Sequence, residues 1–356
     1  MVIIATKWRF FIRRFAEIRI YIVSILSMKI CITGGAGMIG STLIRKLTAL
    51  GHNISVIDNL WRGDLDNLKG VVGFSDENFY NIDLSKTESL KEVGEIFSDC
   101  DCVIHLADIV AGIGFVFSNQ YEIFRINNLI NTNVFNACAT AGVKKILYAG
   151  TACSFPKTMQ MSLDSVLREE DLFPSYPESA YGWSKLMGTL ELEYLKDKTG
   201  CEVTTLMLHN VYGPFCDIDP TRSQVIPSVI RKILELPENG QLVVWGSGNQ
   251  GRAFLHVSDV ADAFVAALQR DNLPLVIQIG PDYCTSIKEL AYTLNENVID
   301  KQISIVFDTT KPEGDIGRCA DYSLAKEVLE WSPKVNFIDG LKETTAYIEA
   351  KLGQIA

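Results

Sequence analysis

No stretch of this sequence is long and apolar enough for a membrane span: the longest, Ile20 to Leu26, falls well short of the ~18 residues a span requires. Positive charge is scarce. Thirty-three Lys and Arg face 43 Asp and Glu, and the net charge of −10 argues against nucleic acid as a partner. Paired cysteines are missing as well. The nine cysteines are odd in number and scattered, with no C-x-x-C and no His spacing of the metal-binding kind. No metal site and no disulfide framework is therefore expected, and the thiols read as reduced, in a cytoplasmic protein. Internal repeats and low-complexity tracts are also lacking. What remains is ordinary: 47% apolar and 21% charged residues over 356 positions, enough for about two domains with a sizeable core.

The first 27 residues differ from all that follow. Lys7, Arg9, Arg13, Arg14 and Arg19 against Glu17 give this segment +4, so the rest of the chain carries −14. Trp8, Phe10, Phe11 and Phe15 interleave with those charges. A secretory signal fits poorly, because no small-x-small site precedes Lys29. Two readings stay open: an amphipathic segment resting on a membrane surface, or residues upstream of a start at Met28. The second is the expectation, since an apolar strand begins directly at Lys29.

That strand, Lys29 to Thr33, runs into Gly34-Gly35-Ala36-Gly37-Met38-Ile39-Gly40, after which Ile39, Leu43 and Leu47 recur at helical spacing as far as Gly51. A second strand, Asn53 to Ile57, ends at Asp58. Strand, glycine turn, helix, strand and acid is the order of a dinucleotide-binding unit. Gly34, Gly37 and Gly40 let backbone approach a pyrophosphate, with Met38 and Ile39 opening the helix whose amides face it. Asp58 would accept from ribose hydroxyls and repel a 2′-phosphate, which points to NAD as the cofactor. Asp83 is either an adenine contact or a loop cap. Further strands at 101–106, 144–149 and 203–208, with a helix over 123–141, imply a doubly wound parallel α/β sheet of the Rossmann type. Leu106 ends one of these strands at the expected cofactor edge.

Past Pro214 the rhythm loosens, with shorter strands at 241–245, 275–279 and 303–307. The expected division is a basic extension over 1–27 and a Rossmann domain over 28–178, to which 179–212 and 255–270 return. A smaller α/β substrate domain over 213–254 and 271–356 would then lie at the carboxyl edge of the sheet. In the Rossmann part Thr151 precedes Tyr181-Gly182-Trp183-Ser184-Lys185. Tyr181 and Lys185, four apart on a helix, share a face. An ammonium there would favour the phenolate, which can take the proton of an alcohol while its carbon gives up hydride.

With Gly34, Gly37, Gly40, Asp58, Thr151, Tyr181 and Lys185 in this order, the chain from Lys29 to about Leu352 resembles the extended short-chain dehydrogenases/reductases. The branch it resembles is the NAD-dependent epimerase/dehydratase family of nucleotide-sugar enzymes. Leu106 to Phe115, Thr151 to Pro156, His209 to Pro214, Arg252-Ala253-Phe254 and Gly314 to Asp321 bring it nearest to members acting on GDP-hexoses. The resemblance implies a nucleotide-sugar substrate, a homodimer and transient oxidation at sugar C4. It gives Tyr181 and Lys185 the redox step, Thr151 a supporting hydroxyl and Cys153 proton exchange at carbon. It sets Gly112 and Gly114 against nicotinamide and hexose, and Asn210, Arg252 and Arg318 at the substrate, the arginines on its diphosphate. One position departs. Where these relatives carry a second acid/base, lysine or histidine, ungapped pairing puts Gln224, whose amide has no proton to trade. A dehydratase is disfavoured because Ala152-Cys153 stand where such enzymes carry Asp-Glu. An idle NAD-binding scaffold is disfavoured because the Tyr/Lys pair is whole.

Overall fold

The computed structural model describes residues 27–311 and 314–355, so the basic segment, apart from Ser27, lies outside the described residues. The chain alternates strands and helices: β1 (Lys29–Thr33), α1 (Met38–Ala49), β2 (Asn53–Ile57), β3 (Phe79–Tyr80), α2 (Leu90–Phe97) and β4 (Cys102–His105). Then come α3 (Ile113–Ser118), α4 (Gln120–Ala141), β5 (Lys145–Thr151), β6 (Met161–Leu167), α5 (Ala180–Thr199) and β7 (Glu202–Leu208). Shorter elements follow: β8 (Asn210–Tyr212), α6 (Val225–Glu235), β9 (Gln241–Trp245), β10 (Gly251–Arg252), β11 (Phe254–His256) and α7 (Val257–Leu268). The last are β12 (Val276–Ile279), β13 (Thr285–Ser286), α8 (Ile287–Thr293), β14 (Ser304–Asp308), β15 (Gly317–Ala320), α9 (Ser323–Leu329) and α10 (Phe337–Ile355).

Seven parallel strands form the main sheet in the order β12-β7-β5-β4-β1-β2-β3. All seven residues of β5 are buried, so its sequence shows no alternation, as a central parallel strand covered on both faces requires. Leu43, Ile44 and Leu47 of α1 bury against one face with Phe264 of α7. Val134 and Phe135 of α4 and Leu192 of α5 cover the other. Each such side chain contributes about 1.5–3 kcal/mol by leaving water. The doubly wound parallel sheet is therefore as expected from sequence.

Sheet membership is less simple than the sequence division. β12, placed by sequence with the smaller domain, hydrogen-bonds to β7 and closes one edge of the main sheet. Conversely, β6 leaves the first part of the chain to pair with β15. Periodicity marks a strand without naming its neighbour. The second core gathers Ile230 and Ile233 of α6, Leu242 of β9, Leu290 of α8 and Leu341 of α10. A cavity of about 900 Å³ lies where this core meets the carboxyl ends of β1, β2, β4, β5 and β7. Ligands enter open α/β sheets at that edge.

Candidate active site

The glycine turn after β1 shapes the first wall of the cavity. Gly34 has φ +71°, and a Cβ there would come within 2.8 Å of the Ala107 amide nitrogen. A Cβ on Gly40 would meet the Gly34 carbonyl oxygen at 2.5 Å. Only glycine lets α1 seat so closely on the turn, and the first amides of a helix lack intrahelical partners. Gly37 caps α1 with no side chain in the way, and Met38 and Ile39 line the same wall. This cradle fits the pyrophosphate of a dinucleotide.

Asp58 lies beside it, buried, its Oδ2 receiving the Ala36 amide at 3.0 Å and its Oδ1 the Leu60 amide at 2.8 Å. Burial pushes the carboxyl up, and the two amides oppose that shift. Arg62, four residues on from Asp58, donates to the Val110 carbonyl at 3.0 Å and lies 3.6 Å from Asp217. Asp83 lines the cavity and also caps its own loop, its Oδ1 receiving the amide and hydroxyl of Ser85. The loop-cap reading is what these contacts show. Leu106 borders the cavity and donates its amide to the Thr33 carbonyl.

On the opposite wall, Ser179 caps α5 through Gly182 and so points the first turn, with Tyr181, at the cavity. Gly182 is required there: a Cβ would lie 2.2 Å from the Cys153 carbonyl oxygen. Thr151 ends β5, and its Oγ1 accepts the Cys153 amide at 3.2 Å. Lys185 is 1% exposed. Its ammonium donates to the Ala149 carbonyl at 2.8 Å and pairs with Asp108 Oδ2 at 2.8 Å. Tyr181 Oη donates to the same carboxylate oxygen at 3.2 Å. Tyr181 thus faces a carboxylate as well as the lysine four residues on. Burial first, and then Asp108, hold the Tyr181 phenol well above its ordinary value. Burial also works against the Lys185 ammonium, but Asp108 and Tyr148 outweigh it and raise that group.

Further along the wall, Arg318 donates from Nη2 to Cys153 Sγ at 3.0 Å. Its Nη1 pairs with Asp315 at 2.7 Å and bonds Gln160, and its buried Nε has no partner. Arg318 also lines the cavity, where the resemblance sets it on the substrate diphosphate. Arg252 donates to the carbonyls of Gly251 and Asp315, and burial together with Arg318 lowers it to about 10. Asn210, at the start of β8, has a buried Oδ1 without a partner facing the site region. Gln224 caps α6 by its backbone and lines the cavity. Gly112 donates its amide to the Arg222 carbonyl and so draws that loop inward, while Gly114 packs on the Trp245 ring.

Several acids lining this cavity had no assigned role from sequence, among them Asp108, Glu178 and Asp315. Burial and Asp315 raise Glu178, which lies 3.5 Å from the Lys157 ammonium. The one sequence signal was a carboxylate left standing in apolar company after β4. His209, an obvious substitute for the missing second acid/base, is buried and bonds Gln278 through Nε2; burial drops it to about 3, so it stays neutral. Among the described residues, no group of three or more His, Cys, Asp or Glu is placed to hold a metal ion, and no helix is long and apolar enough to cross a membrane.

Residues 30–280 match the NAD dependent epimerase/dehydratase family. Rice GDP-mannose 3,5-epimerase 1 is 32% identical over 327 residues, covering 91% of this chain and 82% of that protein. Arabidopsis thaliana GDP-L-fucose synthase 1 is 29% identical, covering 89% and 92%. The UDP-glucose 4-epimerase of Thermotoga maritima, solved with UDP-glucose, superposes with a TM-score of 0.78 at 27% identity, over 91% of this chain and all of that one. The Thermus thermophilus UDP-glucose 4-epimerase complex with NAD gives 0.74 at 26%, over 90% and 99%. The glycine cradle, buried Asp58, Tyr181 and Lys185 line one cavity, and the chain belongs to the NAD dependent epimerase/dehydratase family: it is an enzyme, and its cofactor is NAD.

Proposed function

We propose that this enzyme is a nucleotide-sugar epimerase that oxidises C4 of an NDP-hexose, a GDP-hexose first among them, and exchanges a proton at a neighbouring carbon. The observation that carries the proposal is Cys153, whose sulfur takes an Arg318 N–H at 3.0 Å on the same cavity wall as Tyr181. That contact fixes the sulfur on the wall that carries Tyr181, where a thiol acting at a sugar carbon has to stand. NAD, when bound, supplies the acceptor and later the donor of hydride. Gly34, Gly37 and Gly40 admit its pyrophosphate, and Asp58 takes its ribose hydroxyls. Tyr181 handles the proton of the C4 hydroxyl, with Thr151 beside it. A ketone at C4 acidifies the C3 and C5 protons, and Cys153 removes and returns one. Asn210 and Arg252 hold the substrate, and Gln224 hydrogen-bonds a sugar oxygen without trading protons.

Gln224 also supports a second reading, in which the enzyme inverts C4 or reduces a 4-keto sugar and never uses carbon acidity. The two readings separate in deuterated water with GDP-mannose and other nucleotide sugars, products being read by NMR. Under the first, deuterium enters a ring carbon of the GDP-hexose faster than net inversion proceeds. Cys153→Ala abolishes that exchange and leaves hydride transfer measurable. Exchange as fast in Cys153→Ala as in the parent makes the cysteine structural and leaves the second reading.

A further inference from the structure

Two cysteines outside the cavity face each other behind Arg252 and Arg318. Cys284 stands just before β13, and Cys319 lies in β15. Gly251 of β10 ties their segments together: it pairs with Ser286 of β13 and donates its amide to the Ile316 carbonyl at 2.8 Å. A Cβ on Gly251 would come within 3.1 Å of Cys284 Cβ, so a glycine lets the three segments close up. Cys284 Sγ donates to the Arg318 carbonyl at 2.9 Å, and Cys319 Sγ donates to the Ser165 carbonyl at 3.3 Å. The Arg318 carbonyl belongs to the peptide unit that carries the Cys319 nitrogen. The Cys284 sulfur therefore stands over the Cys319 backbone, and the two thiols also hydrogen-bond each other.

The two sulfurs are not equivalent. Cys319 is buried, whereas Cys284 is half-buried and gives the pair its access to solvent. The contact with Cys319 lowers the Cys284 thiol, with Arg252 and Arg318 adding to that effect against burial. The same contact, together with burial, raises Cys319. Reactivity follows thiolate character and access, and both belong to Cys284. Cys31 and Cys100 also meet, but at the amino end of β4, away from the carboxyl edge that forms the cavity.

What couples the pair to the site is Arg318. Its carbonyl takes the Cys284 thiol, while its guanidinium holds Cys153 at 3.0 Å and Asp315 at 2.7 Å. A disulfide carries no S–H. Bridging would remove the thiol donors from the Arg318 and Ser165 carbonyls and draw Cys319 toward Cys284. A shift of β15 moves the Arg318 side chain with it.

We propose that Cys284 and Cys319 form a redox-responsive pair: a peroxide joins them as a disulfide, which displaces Arg318 from the cavity wall and slows the enzyme until a thiol reduces the bridge. The slowing rests on the reading of the cavity as a nucleotide-sugar site, and the bridge does not. In the first step the Cys284 thiolate attacks one peroxide oxygen. The O–O bond breaks, an S–O bond forms, and the departing hydroxide takes up a proton as water. In the second step Cys319 sulfur attacks Cys284 sulfur, the S–O bond breaks, and a second water leaves with the thiol proton. Two thiols and one peroxide thus give one disulfide and two waters, the sulfurs oxidised and the peroxide oxygens reduced. Two equivalents of a thiol such as dithiothreitol reverse the change by exchange.

The test treats the full chain, loaded with NAD, with hydrogen peroxide, blocks remaining thiols with iodoacetamide and maps tryptic peptides without reduction. Trypsin cuts after Lys288 and Arg318, so the two cysteines fall in different peptides. The expected product is those two peptides joined, lighter than their sum by two hydrogen atoms and separated by dithiothreitol. In Cys319→Ser the reaction should stop at a Cys284 sulfenic acid, which dimedone traps. The rate of NADH formation with GDP-mannose should fall by up to about 100-fold on oxidation, as a displacement of about 1 Å near a reacting group can cause. It should return with dithiothreitol. Cys284→Ser and Cys319→Ser should keep the basal rate and lose this reversible response.

A map in which Cys284 and Cys319 remain alkylated after peroxide overturns the proposal, and so does a bridged protein with the parent's rate. A loss of rate that persists in Cys284→Ser and resists dithiothreitol assigns the effect to Cys153 and overturns it too. If the reduced protein makes no NADH with any nucleotide sugar, the functional reading fails, and the peptide map still decides the bridge. Should a serine variant not fold, the map of the wild type decides alone.

Discussion

Asp58 shows how much a single carboxylate decides. It stands buried beside the glycine turn, where a 2′-phosphate would meet like charge at short range. Arg62, the nearby cation able to receive such a phosphate, is already committed to Val110 and Asp217. NAD should therefore bind tighter than NADP, and Asp58→Ala should narrow the difference by ~10-fold or more, since apposed like charges cost several kcal/mol. Equal affinities in the parent, measured by calorimetry, would contradict this. The same scale governs Gln224. Gln224→Lys restores a group able to give and take a proton, and net inversion relative to deuterium exchange should rise by about 100-fold. An unchanged ratio would show that α6 does not carry this residue to the sugar. The reach of sequence at this scale was uneven. The glycines, Asp58, Thr151, Tyr181 and Lys185 stood out by type and spacing and Cys153 by the family resemblance, and all of them line one cavity. Asp108 did not, because it meets Tyr181 across 73 positions of sequence. Its carboxylate adds a second partner to both members of the Tyr-x-x-x-Lys pair.

Among the elements, α1 is the one most tightly tied to function. Its first turn rests on the glycine loop at a spacing that excludes a methyl group, with a Cβ on Gly40 falling 2.5 Å from both the Gly34 carbonyl oxygen and the Gly35 Cα. Gly40→Ala must push the helix off the turn. We expect a loss of about 1–3 kcal/mol in stability, as for other overpacked sites, with NAD affinity falling further than stability does. A melting temperature and an NAD affinity both like the parent's would mean the turn is not under this constraint. The elements themselves were largely legible, because long apolar runs and helical spacing survive any context: β1 and β2 begin and end where the sequence put them. Partnership was not. β12 joins the main sheet and β6 leaves it, and both outcomes depend on tertiary packing that no local pattern encodes.

For the whole molecule, sequence foretold a site at the carboxyl edge of the sheet, and the cavity lies there. Buried histidines contribute to how that body responds to acid. His105 and His209 are buried and neutral, each lowered to about 3 from an ordinary value near 6.5. An unfolded chain binds protons at these sites that the folded one refuses, so their share of stability is present above pH ~6.5 and is lost as pH falls toward 3. His105→Gln should flatten the decline of melting temperature between neutral and moderately acidic pH. A decline just as steep in that variant would assign it to other groups.

The central claim is that Tyr181 works on the hydroxyl of a nucleotide sugar while NAD carries the hydride. The most direct measurement mixes the NAD-loaded protein with GDP-mannose, and with UDP-glucose for comparison, and follows NADH absorbance in the first turnover. The account predicts NADH from the parent protein with the GDP-hexose and a rate at least ~100-fold lower in Tyr181→Phe. No NADH with either sugar, or an equal rate in Tyr181→Phe, would contradict it.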